Sequence, residues 1–489
     1  MKTFLSVDLG AGSGRVIAAR FDGGKLAMET VSRFDNSPVE LDGHIYWNIP
    51  SLMNSIRDGL AAAHAKYGEI ASVGIDTWGV DFAFLDKSGR MLGLPCAYRD
   101  SRNSAANAER TFAKVGGRRA LYNATGIQML DLNTVFQLNA EREEPDSMLD
   151  KAARILFIPD LINYFLCGEA AIEATIASTS QLVDINTRGW SDALLAQIGV
   201  PRALLSDPAQ PGTVLGKIRG VAGLEGVPLC LVGSHDTASA IASIPADGSR
   251  RWGYIATGTW ALVGAENSEP IISDASYECN YSHEGAVNGK FRFLRNCAGM
   301  WMIQELRRAW SGAGQSPDFD TLMREATAAE PFRYKLNPDS ADFFTPGNMP
   351  AKVAEYCRRT GQGEPRARGE FYRATMEGVV MRCREVWGGL EKATGVKREV
   401  AHIIGGAIKD EMFCRMLADA LNVELACGPA EGASMGNALA QMVASGDLRS
   451  FDEGRALIAR STEMKYWQPE SPHVWDEAFE KWQAAKESC

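Results

Sequence analysis

The chain has 489 residues, a formal net charge of −10, 45% hydrophobic residues and 23% charged residues. The length predicts two to four domains, and the composition is that of an ordinary globular protein. The acidic balance argues against a nucleic-acid-binding surface. No apolar run approaches the roughly 18 residues that a membrane-spanning helix requires.

Cysteine and histidine usage argues against a metal centre built from these residues. The ten cysteines are scattered with no C-x-x-C pair, and the six histidines lie far apart. This pattern is typical of a protein in a reducing compartment and does not predict a zinc site. The start, MKTFLSVDLG, does not read as a signal peptide because Asp8 interrupts the apolar run. We therefore expect a cytoplasmic protein.

The first distinctive segment is DLGAGSGR, residues 8–15. It follows the strand pattern TFLSVDLG and precedes RVIAARFDGGKLAMETVSRF, a pattern of strand, tight turn and strand. The segment is therefore predicted to join two strands of a meander, with no helix beginning there. It fits neither the G-x-G-x-x-G fingerprint, because Arg15 takes the place of the third glycine, nor a loop ending in G-K-[ST]. Two interpretations stay open: a plain Gly-rich hairpin and a phosphate-binding loop.

Later segments predict an α/β protein built from two similar halves. SLMNSIRDGLAAAHAKYG has helical apolar spacing, and residues 104–168 are predicted to be mainly helical. RWGYIATGTWALVGAEN is a second strand–turn–strand pattern, and the tail reads as strand, glycine turn, helix, strand, helix. We expect domains over residues 1–245 and 246–489, whose hairpin turns close on one polyphosphate from opposite sides.

Six pieces of sequence carry a resemblance to a known family. They are VDLGAGSGRV, GIDTWGVDF, LPCAYRDSR, GSHDTASA, GTWALVG and NCAGMWMIQ. With them the chain resembles the FGGY carbohydrate kinases nearly from end to end. The resemblance implies two actin-like, ribonuclease-H-like α/β domains with an interdomain ATP cleft and a sugar site beneath it. Within the family the chain is most similar to members that transfer the γ-phosphoryl group of ATP to O1 of L-rhamnulose.

The expected ATP site includes the opening loop. Successive backbone N–H groups of such a loop can form a concave anion site, to which Arg15 adds charge. Asp8, at the end of the first strand, is expected to face the Mg²⁺ of MgATP through water. Its alternative role is that of an aspartate that bonds to its own turn. By resemblance, the ATP-binding residues are Ala11, Gly12, Ser13, Gly14, Arg15, Thr259, Gln304 and Gly406.

The expected sugar site centres on GSHDTASA. The resemblance makes Asp236 the proton acceptor, while the local pattern equally suits Ser234 or Asp236 as the N-cap of a helix. Trp78 is either a sugar contact or a core residue, and Asn296 also suits a helix N-cap. Gly432 and Gly436 are interpreted as packing glycines. By resemblance, the substrate contacts are Gly79, His235, Asp236, Thr237 and Asn296.

The tail departs from the family pattern of three glycines, two residues and an Asn. Here it reads GGAIKD, so Ala407 and Asp410 stand in the third-glycine and Asn positions. If φ of Ala407 is negative, the alanine fits without strain, whereas a positive φ forces the local turn to shift. The carboxylate of Asp410 raises the separate question of repulsion from a polyphosphate.

Three functional hypotheses follow. The first is the L-rhamnulose kinase, the second a kinase for another ketose such as L-fuculose, and the third an actin-like ATPase or nucleotide-dependent switch. The GIDTWGVDF turn and Asp236 favour a kinase, since an ATPase needs neither. The expected partner is a small ketose, without nucleic acid or membrane, and the protein is expected to be a monomer or small homo-oligomer.

Overall fold

A computed structural model of the protein describes residues 1–487. The chain forms two compact units. The first unit consists of residues 1–247, 266–293 and 431–463, and the second of residues 248–265, 294–430 and the chain from 464 onward. The two units are therefore not two consecutive stretches of the chain, because two later segments belong to the first unit. The domain boundary between residues 245 and 246 stays a prediction. No helix in the described part is long and apolar enough to cross a membrane.

The strands and helices are numbered in chain order. The strands are β1 (Lys2–Leu9), β2 (Ser13–Phe21), β3 (Leu26–Asp35), β4 (Val39–Leu41), β5 (His44–Tyr46), β6 (Ser72–Thr77), β7 (Phe82–Leu85), β8 (Arg154–Phe157), β9 (Ile172–Glu173), β10 (Pro208–Ala209), β11 (Thr213–Lys217), β12 (Pro228–Leu231), β13 (Trp252–Thr257), β14 (Trp260–Asn267), β15 (Ser282–Gly285), β16 (Phe291–Ala298), β17 (Val400–Gly405), β18 (Glu424–Cys427) and β19 (Lys465–Trp467). The helices are α1 (Ile49–Tyr67), α2 (Ala105–Lys114), α3 (Arg118–Thr125), α4 (Thr134–Glu143), α5 (Ile158–Cys167), α6 (Ala174–Ala177), α7 (Asp192–Gln197), α8 (Asp236–Ala242), α9 (Asp274–Glu278), α10 (Trp301–Gly312), α11 (Phe319–Ala328), α12 (Met349–Arg359), α13 (Arg368–Thr394), α14 (Glu411–Leu421), α15 (Gly432–Ala444), α16 (Phe451–Ser461) and α17 (Pro472–Glu487).

The first unit contains a six-stranded sheet in the order β11-β12-β6-β1-β2-β3. Strands β1, β2 and β3 form an antiparallel meander, and β6 and β12 continue the sheet in parallel to β1. The meander predicted on either side of the opening loop is confirmed. Side chains alternate across β1, so that Leu5 packs with the α1 side of the core and Phe4 with the α15 side. This covering of both faces explains why β1 reads as a nearly continuous apolar run.

The second unit repeats this arrangement. A seven-stranded sheet contains, as consecutive neighbours, β16, β14, β13, β17, β18 and β19, with β13 and β14 antiparallel and β17 and β18 parallel to β13. The second hairpin predicted from RWGYIATGTWALVGAEN is therefore confirmed as β13 and β14. The predicted tail is also confirmed, as β17, a glycine turn, α14, β18 and α15.

Close helix packing within the first unit explains the glycines of EGASMG. A Cβ atom added to Gly436 of α15 would lie 1.8 Å from the carbonyl oxygen of Ser239 in α8. One added to Gly432 would lie 3.1 Å from Oγ of Ser243. The two helices approach so closely because these positions carry no side chain, which confirms the packing interpretation.

Candidate active site

The carboxyl edge of the first sheet gathers three aspartates. Asp8 and Asp76 stand opposite each other in register near the ends of the parallel strands β1 and β6. The chain after β12 joins the same edge, because the backbone N–H of Thr77 donates to the carbonyl of Ser234 over 2.8 Å. Asp236 follows two residues later and begins α8. In open α/β sheets this edge is where ligands bind, so the first unit places its acidic groups at a suitable position.

The opening loop is a tight turn with an open tip. The N–H of Gly10 donates to the carbonyl of Ser13 over 2.9 Å, and the side chain of Asn36 donates to the carbonyl of Gly10 over 2.8 Å. Among the described residues, none accepts a hydrogen bond from the N–H groups of Ala11 or Gly12. These two donors at the tip are therefore available to an anion.

The glycines of this loop differ in what they do. A Cβ atom added to Gly12 would have no described neighbour within 4 Å, whereas one added to Gly14 would lie 2.2 Å from the ring of Phe34. Gly14 and Ser13 belong to β2 and pair with β3. Gly12 thus leaves room for an approaching group, while Gly14 lets the ring of Phe34 pack on the strand.

Arg15 and Asp8, predicted to contact phosphate and metal, pair with each other. Arg15 donates to Oδ2 of Asp8 through Nε (3.0 Å) and Nη2 (2.8 Å), and its Nη1 lies 2.8 Å from a carboxylate oxygen of Glu431. Oδ2 of Asp8 also accepts a hydrogen bond from Ser434 over 3.2 Å. The positive charge of Arg15 is therefore already balanced by two carboxylates. Sequence reasoning missed Glu431 and Ser434, which lie more than four hundred residues along the chain.

Asp76 is completely buried beside Asp8. Its Oδ2 accepts a hydrogen bond of 2.6 Å from the amide of Asn437, and its Oδ1 has no partner among the described residues. Burial, reinforced by the negative charge of Asp8, raises the pKa of Asp76 well above its usual value. Burial therefore disfavours the charged form of Asp76 relative to an exposed aspartate.

Asp236 is the first residue of α8, and its side chain is about 30% exposed. The predicted N-cap at Ser234 or Asp236 is wrong, because His235 holds that position, and no side chain of a described residue caps the helix. Oδ1 of Asp236 accepts a hydrogen bond from Thr237 over 3.0 Å. Burial raises the pKa of Asp236, with a further increase from Asp8 and an opposing effect of His235. A raised pKa strengthens a carboxylate as a proton acceptor.

A buried glutamate fixes the backbone that carries Asp236. Oε2 of Glu173 accepts a hydrogen bond from the N–H of Ser234 over 3.1 Å, and Oγ1 of Thr175 accepts one from the N–H of His235 over 3.2 Å. Glu173 is completely buried, and burial raises its pKa to about 7. No sequence signal connected Glu173 to this loop, since the residues meet only through the fold.

The GIDTWGVDF turn is anchored by its second aspartate. Oδ2 of Asp81 accepts hydrogen bonds from the indoles of Trp47 (2.6 Å) and Trp78 (2.9 Å), whose rings lie 4.1 Å apart. Trp78 is only 6% exposed, so the core interpretation of this residue is confirmed. A Cβ atom on Gly79 would lie 3.2 Å from Thr179, which leaves little room at that position. Its contact with substrate stays a prediction.

In the second unit, Thr259 and Gly406 lie at corresponding ends of paired strands. Thr257 of β13 pairs with Gly405 of β17, Thr259 occupies the turn that follows β13, and Gly406 follows β17. Gly405 has φ of +96°, and a Cβ there would lie 2.0 Å from the carbonyl oxygen of Thr257. Gly405 is therefore the sterically required glycine, whereas the space beside Gly406 is open.

Gln304 is an exposed residue near the start of α10. The turn between β13 and β14 is hydrogen-bonded to the residues that precede this helix. The N–H of Met300 donates to the carbonyl of Gly258 over 2.9 Å, and the N–H of Gly299 donates to that of Thr259 over 3.2 Å. The expectation that Asn296 caps this helix is wrong, because Asn296 lies within β16 and Met300 holds the N-cap position. Substrate binding by Asn296 and ATP binding by Gln304 stay predictions.

The structure accounts for both departures in GGAIKD. Ala407 belongs to a short 3₁₀ helix over Gly406–Lys409 and does not have a positive φ, so the alanine fits without strain. Asp410 is the N-cap of α14: its Oδ1 accepts from the N–H of Phe413 and its Oδ2 from the hydroxyl of Tyr372, each over 2.9 Å. The carboxylate serves the helix, as N-cap aspartates commonly do.

We expect Ala407→Gly to lower the free energy of unfolding by roughly 0.4–1 kcal/mol, because glycine gains freedom in the unfolded chain without relieving any strain. The KM for ATP should change by less than about twofold. Denaturant unfolding and steady-state kinetics check the two parts. A clear fall in the KM for ATP would contradict the expectation, since it would mean that the methyl group obstructs the donor site.

Most ligands of a magnesium ion at this site would have to come from the nucleotide and from water. Among residues 1–487, no group of three or more His, Cys, Asp or Glu side chains is arranged to hold a metal ion. Asp8 commits one oxygen to Arg15 and Ser434, and its Oδ1 receives no hydrogen bond from a described residue. This donor set fits a single contact to a hydrated ion.

Comparison with known proteins agrees with this architecture. The model of the N-terminal domain of FGGY carbohydrate kinases matches residues 3–242, and that of the C-terminal domain matches residues 253–445. The chain belongs to the FGGY family of carbohydrate kinases. The predicted family and two-domain α/β fold are thereby confirmed, and the chain is a sugar kinase.

Two curated relatives in this family are similar over nearly their whole length. A rhamnulokinase of Bacteroides thetaiotaomicron is 37% identical over 482 residues, which covers 98% of each chain. A rhamnulokinase of Enterococcus faecalis is 35% identical over 474 residues, covering 96% of this chain and 94% of the relative.

Solved structures support the same fold. A xylulose kinase from Lactobacillus acidophilus has a TM-score of 0.80 at 15% identity, covering 100% of this chain and 98% of that one. A Plasmodium falciparum glycerol kinase with ADP has a TM-score of 0.77 at 17% identity, covering 100% of this chain and 97% of that one. At such low identity the likeness concerns the fold alone.

Proposed function

We propose that the protein phosphorylates L-rhamnulose at O1 with ATP, giving L-rhamnulose 1-phosphate and ADP. Two rhamnulokinases at 35% and 37% identity support this substrate. The observation that carries the chemistry is the position of Asp236, a partly exposed carboxylate at the carboxyl edge of the first sheet.

Asp236 is the proposed proton acceptor. The O1 hydroxyl of the sugar attacks the γ-phosphorus, its proton passes to the carboxylate, and the bond from the γ-phosphorus to the bridging oxygen breaks to release ADP. Because such transition states are loose, aligning the hydroxyl matters as much as removing its proton. The pKa of Asp236, raised by burial, favours the transfer.

The opening loop is proposed to bind the phosphates. The N–H groups of Ala11 and Gly12 lack partners among the described residues and can donate to phosphate oxygens. Arg15 acts less as a free charge than as the group that holds Asp8 in place. Asp8 would hold the hydrated Mg²⁺ of MgATP, which when bound offsets the charge of the phosphates.

The remaining assignments rest on the family resemblance. Thr259, Gln304 and Gly406 are proposed ATP contacts. Gly79, His235, Thr237 and Asn296 are proposed sugar contacts. A cytoplasmic location and a monomeric or small homo-oligomeric state also remain predictions.

The function is tested by ADP release from MgATP with a panel of ketoses. We expect turnover with L-rhamnulose to exceed that without sugar by orders of magnitude, since a kinase must avoid transfer to water. A higher kcat/KM with L-fuculose would select the alternative ketose. Equal rates with and without every sugar would contradict the kinase proposal.

The pH dependence of kcat/KM tests the role of Asp236. Activity should fall at low pH as this carboxylate is protonated. Because His235 lowers the pKa of Asp236, we expect His235→Asn to raise that pKa and move the acidic limb of the profile to higher pH. His473→Asn, at an exposed site in α17, is the control and should leave the limb in place. An unmoved limb in His235→Asn would show that the two residues do not interact.

A further inference from the structure

A buried ion pair lies directly behind His235 in the first unit. The guanidinium of Arg292 is completely buried, and its Nη2 donates to Oε2 of Glu284 over 2.9 Å. Its Nε donates to the carbonyl of Gly285 over 2.8 Å. Burial alone would raise the pKa of Glu284, but the positive charge of Arg292 lowers it to about 2. Glu284 is therefore ionised throughout the working pH range.

Stability alone does not account for this pair. Removing two charges from water costs free energy that their mutual attraction often fails to recover. In other proteins, apolar residues of similar volume often replace such a pair with no loss of stability. The pair does, however, make one contact that apolar residues cannot make, and that contact is with the ring of His235.

The two nitrogens of His235 face different groups. Nδ1 lies 3.0 Å from Nη2 of Arg292 and 3.2 Å from Oε2 of Glu284. Nε2 lies 3.5 Å from Oδ1 of Asp236. The imidazole thus stands between the ion pair on one side and the proposed proton acceptor on the other.

Donor chemistry determines where the ring proton lies. Arg292 can only donate hydrogen bonds, so when the ring is neutral its Nδ1 accepts from Arg292 and the proton resides on Nε2. When the ring is protonated, Nδ1–H donates to Glu284 and Nε2 again carries a proton. In both states an N–H group faces Asp236.

We propose that Glu284 and Arg292 are positioning residues for phosphoryl transfer, which fix His235 so that its Nε2–H faces the carboxylate of Asp236. This inference rests on the proposed function, in which Asp236 accepts the proton. His235 and Thr237 both contact Oδ1 of Asp236. The other oxygen, Oδ2, is thereby assigned to the sugar hydroxyl. Hydrogen bonds from surrounding groups are a general means of holding a catalytic side chain in its productive geometry.

The test is a double-mutant cycle in the full-length protein. Glu284→Gln is expected to lower kcat by roughly tenfold to a hundredfold, by analogy with the loss seen when the partner that orients a metal-ligating histidine is changed. The KM for ATP should stay within about twofold. In a His235→Asn background, Glu284→Gln should lower kcat no further, because residues that act through one another are not additive. An equal loss of kcat in both backgrounds would overturn the proposal.

Two further variants test whether a loss of kcat comes from a damaged fold or from breaking any buried ion pair. Glu284→Gln leaves Arg292 buried and unpaired, so a Glu284→Gln/Arg292→Met variant, which removes both charges together, is measured alongside it. If the folded double variant keeps more than half of the wild-type kcat, the pair does not position His235. Glu266→Gln breaks another buried pair of the same unit, with Arg455, and should alter stability while sparing kcat.

The same assay separates this inference from the proposed function. If Asp236→Asn is nearly inactive while the Glu284 and Arg292 variants are fully active, only the positioning inference fails. If Asp236→Asn itself is active, the assignment of the proton acceptor fails, and with it the premise of the inference.

Discussion

Replacing Asp236 by asparagine should lower kcat by roughly 10²–10⁴, the usual contribution of a general base. Asparagine has the same shape, and its amide oxygen can still accept the hydrogen bond from Thr237. The cost to folding should stay within about 1 kcal/mol, because the loss of a favourable charge at the start of α8 is offset by relief of the burial penalty that raises the pKa of Asp236. Coupled ADP detection gives kcat, and thermal unfolding checks the fold.

Asp192→Asn is the matched control for this experiment. Asp192 is also the first residue of a helix, α7, and its side chain is about 81% exposed. We expect it to leave kcat unchanged. A folded Asp236→Asn protein that retains more than half of the wild-type kcat would mean that Asp236 serves only the helix.

Replacing Gly12 by valine should weaken ATP binding by more than tenfold, equivalent to about 1.4 kcal/mol or more. The branched side chain would stand at the tip of the opening loop, where the N–H groups of Ala11 and Gly12 have no acceptor within residues 1–487 and can donate to phosphate. Because a Cβ atom at Gly12 would have no neighbour within 4 Å in the described part of the chain, the protein itself should tolerate the change. Calorimetric titration with ATP and with the sugar measures the two affinities.

Gly24→Val, in the neighbouring turn between β2 and β3, is the control for this loss. A Cβ atom at Gly24 would also meet no close contact, the nearest atom being 3.7 Å away in Asp22. Sugar binding should persist in both variants. If Gly12→Val binds ATP as the wild type does, the opening loop is an ordinary hairpin.

Patterns confined to a short stretch of chain predicted most of the fold. Alternating and helical apolar spacing identified the two hairpins, α1 and the strand–helix–strand tail, because secondary structure depends on which local face is buried. The prediction failed where helix starts depended on one residue. Asn296 and the segment Ser234–Asp236 both look like N-caps, yet the structure uses Met300 and His235.

For the candidate site, the sequence alone was sufficient to select Asp8, the opening loop and Asp236, because their motifs are contiguous and resemble those of a known family. The partners of these residues could not be read from it. Glu431 reaches Arg15, Glu173 holds the loop before Asp236, and Glu284 with Arg292 stands behind His235. These contacts join segments tens to hundreds of residues apart, so only the folded chain brings them within hydrogen-bonding distance. Burial, which raises the pKa of Asp236, likewise exists only once the surrounding strands and helices have packed.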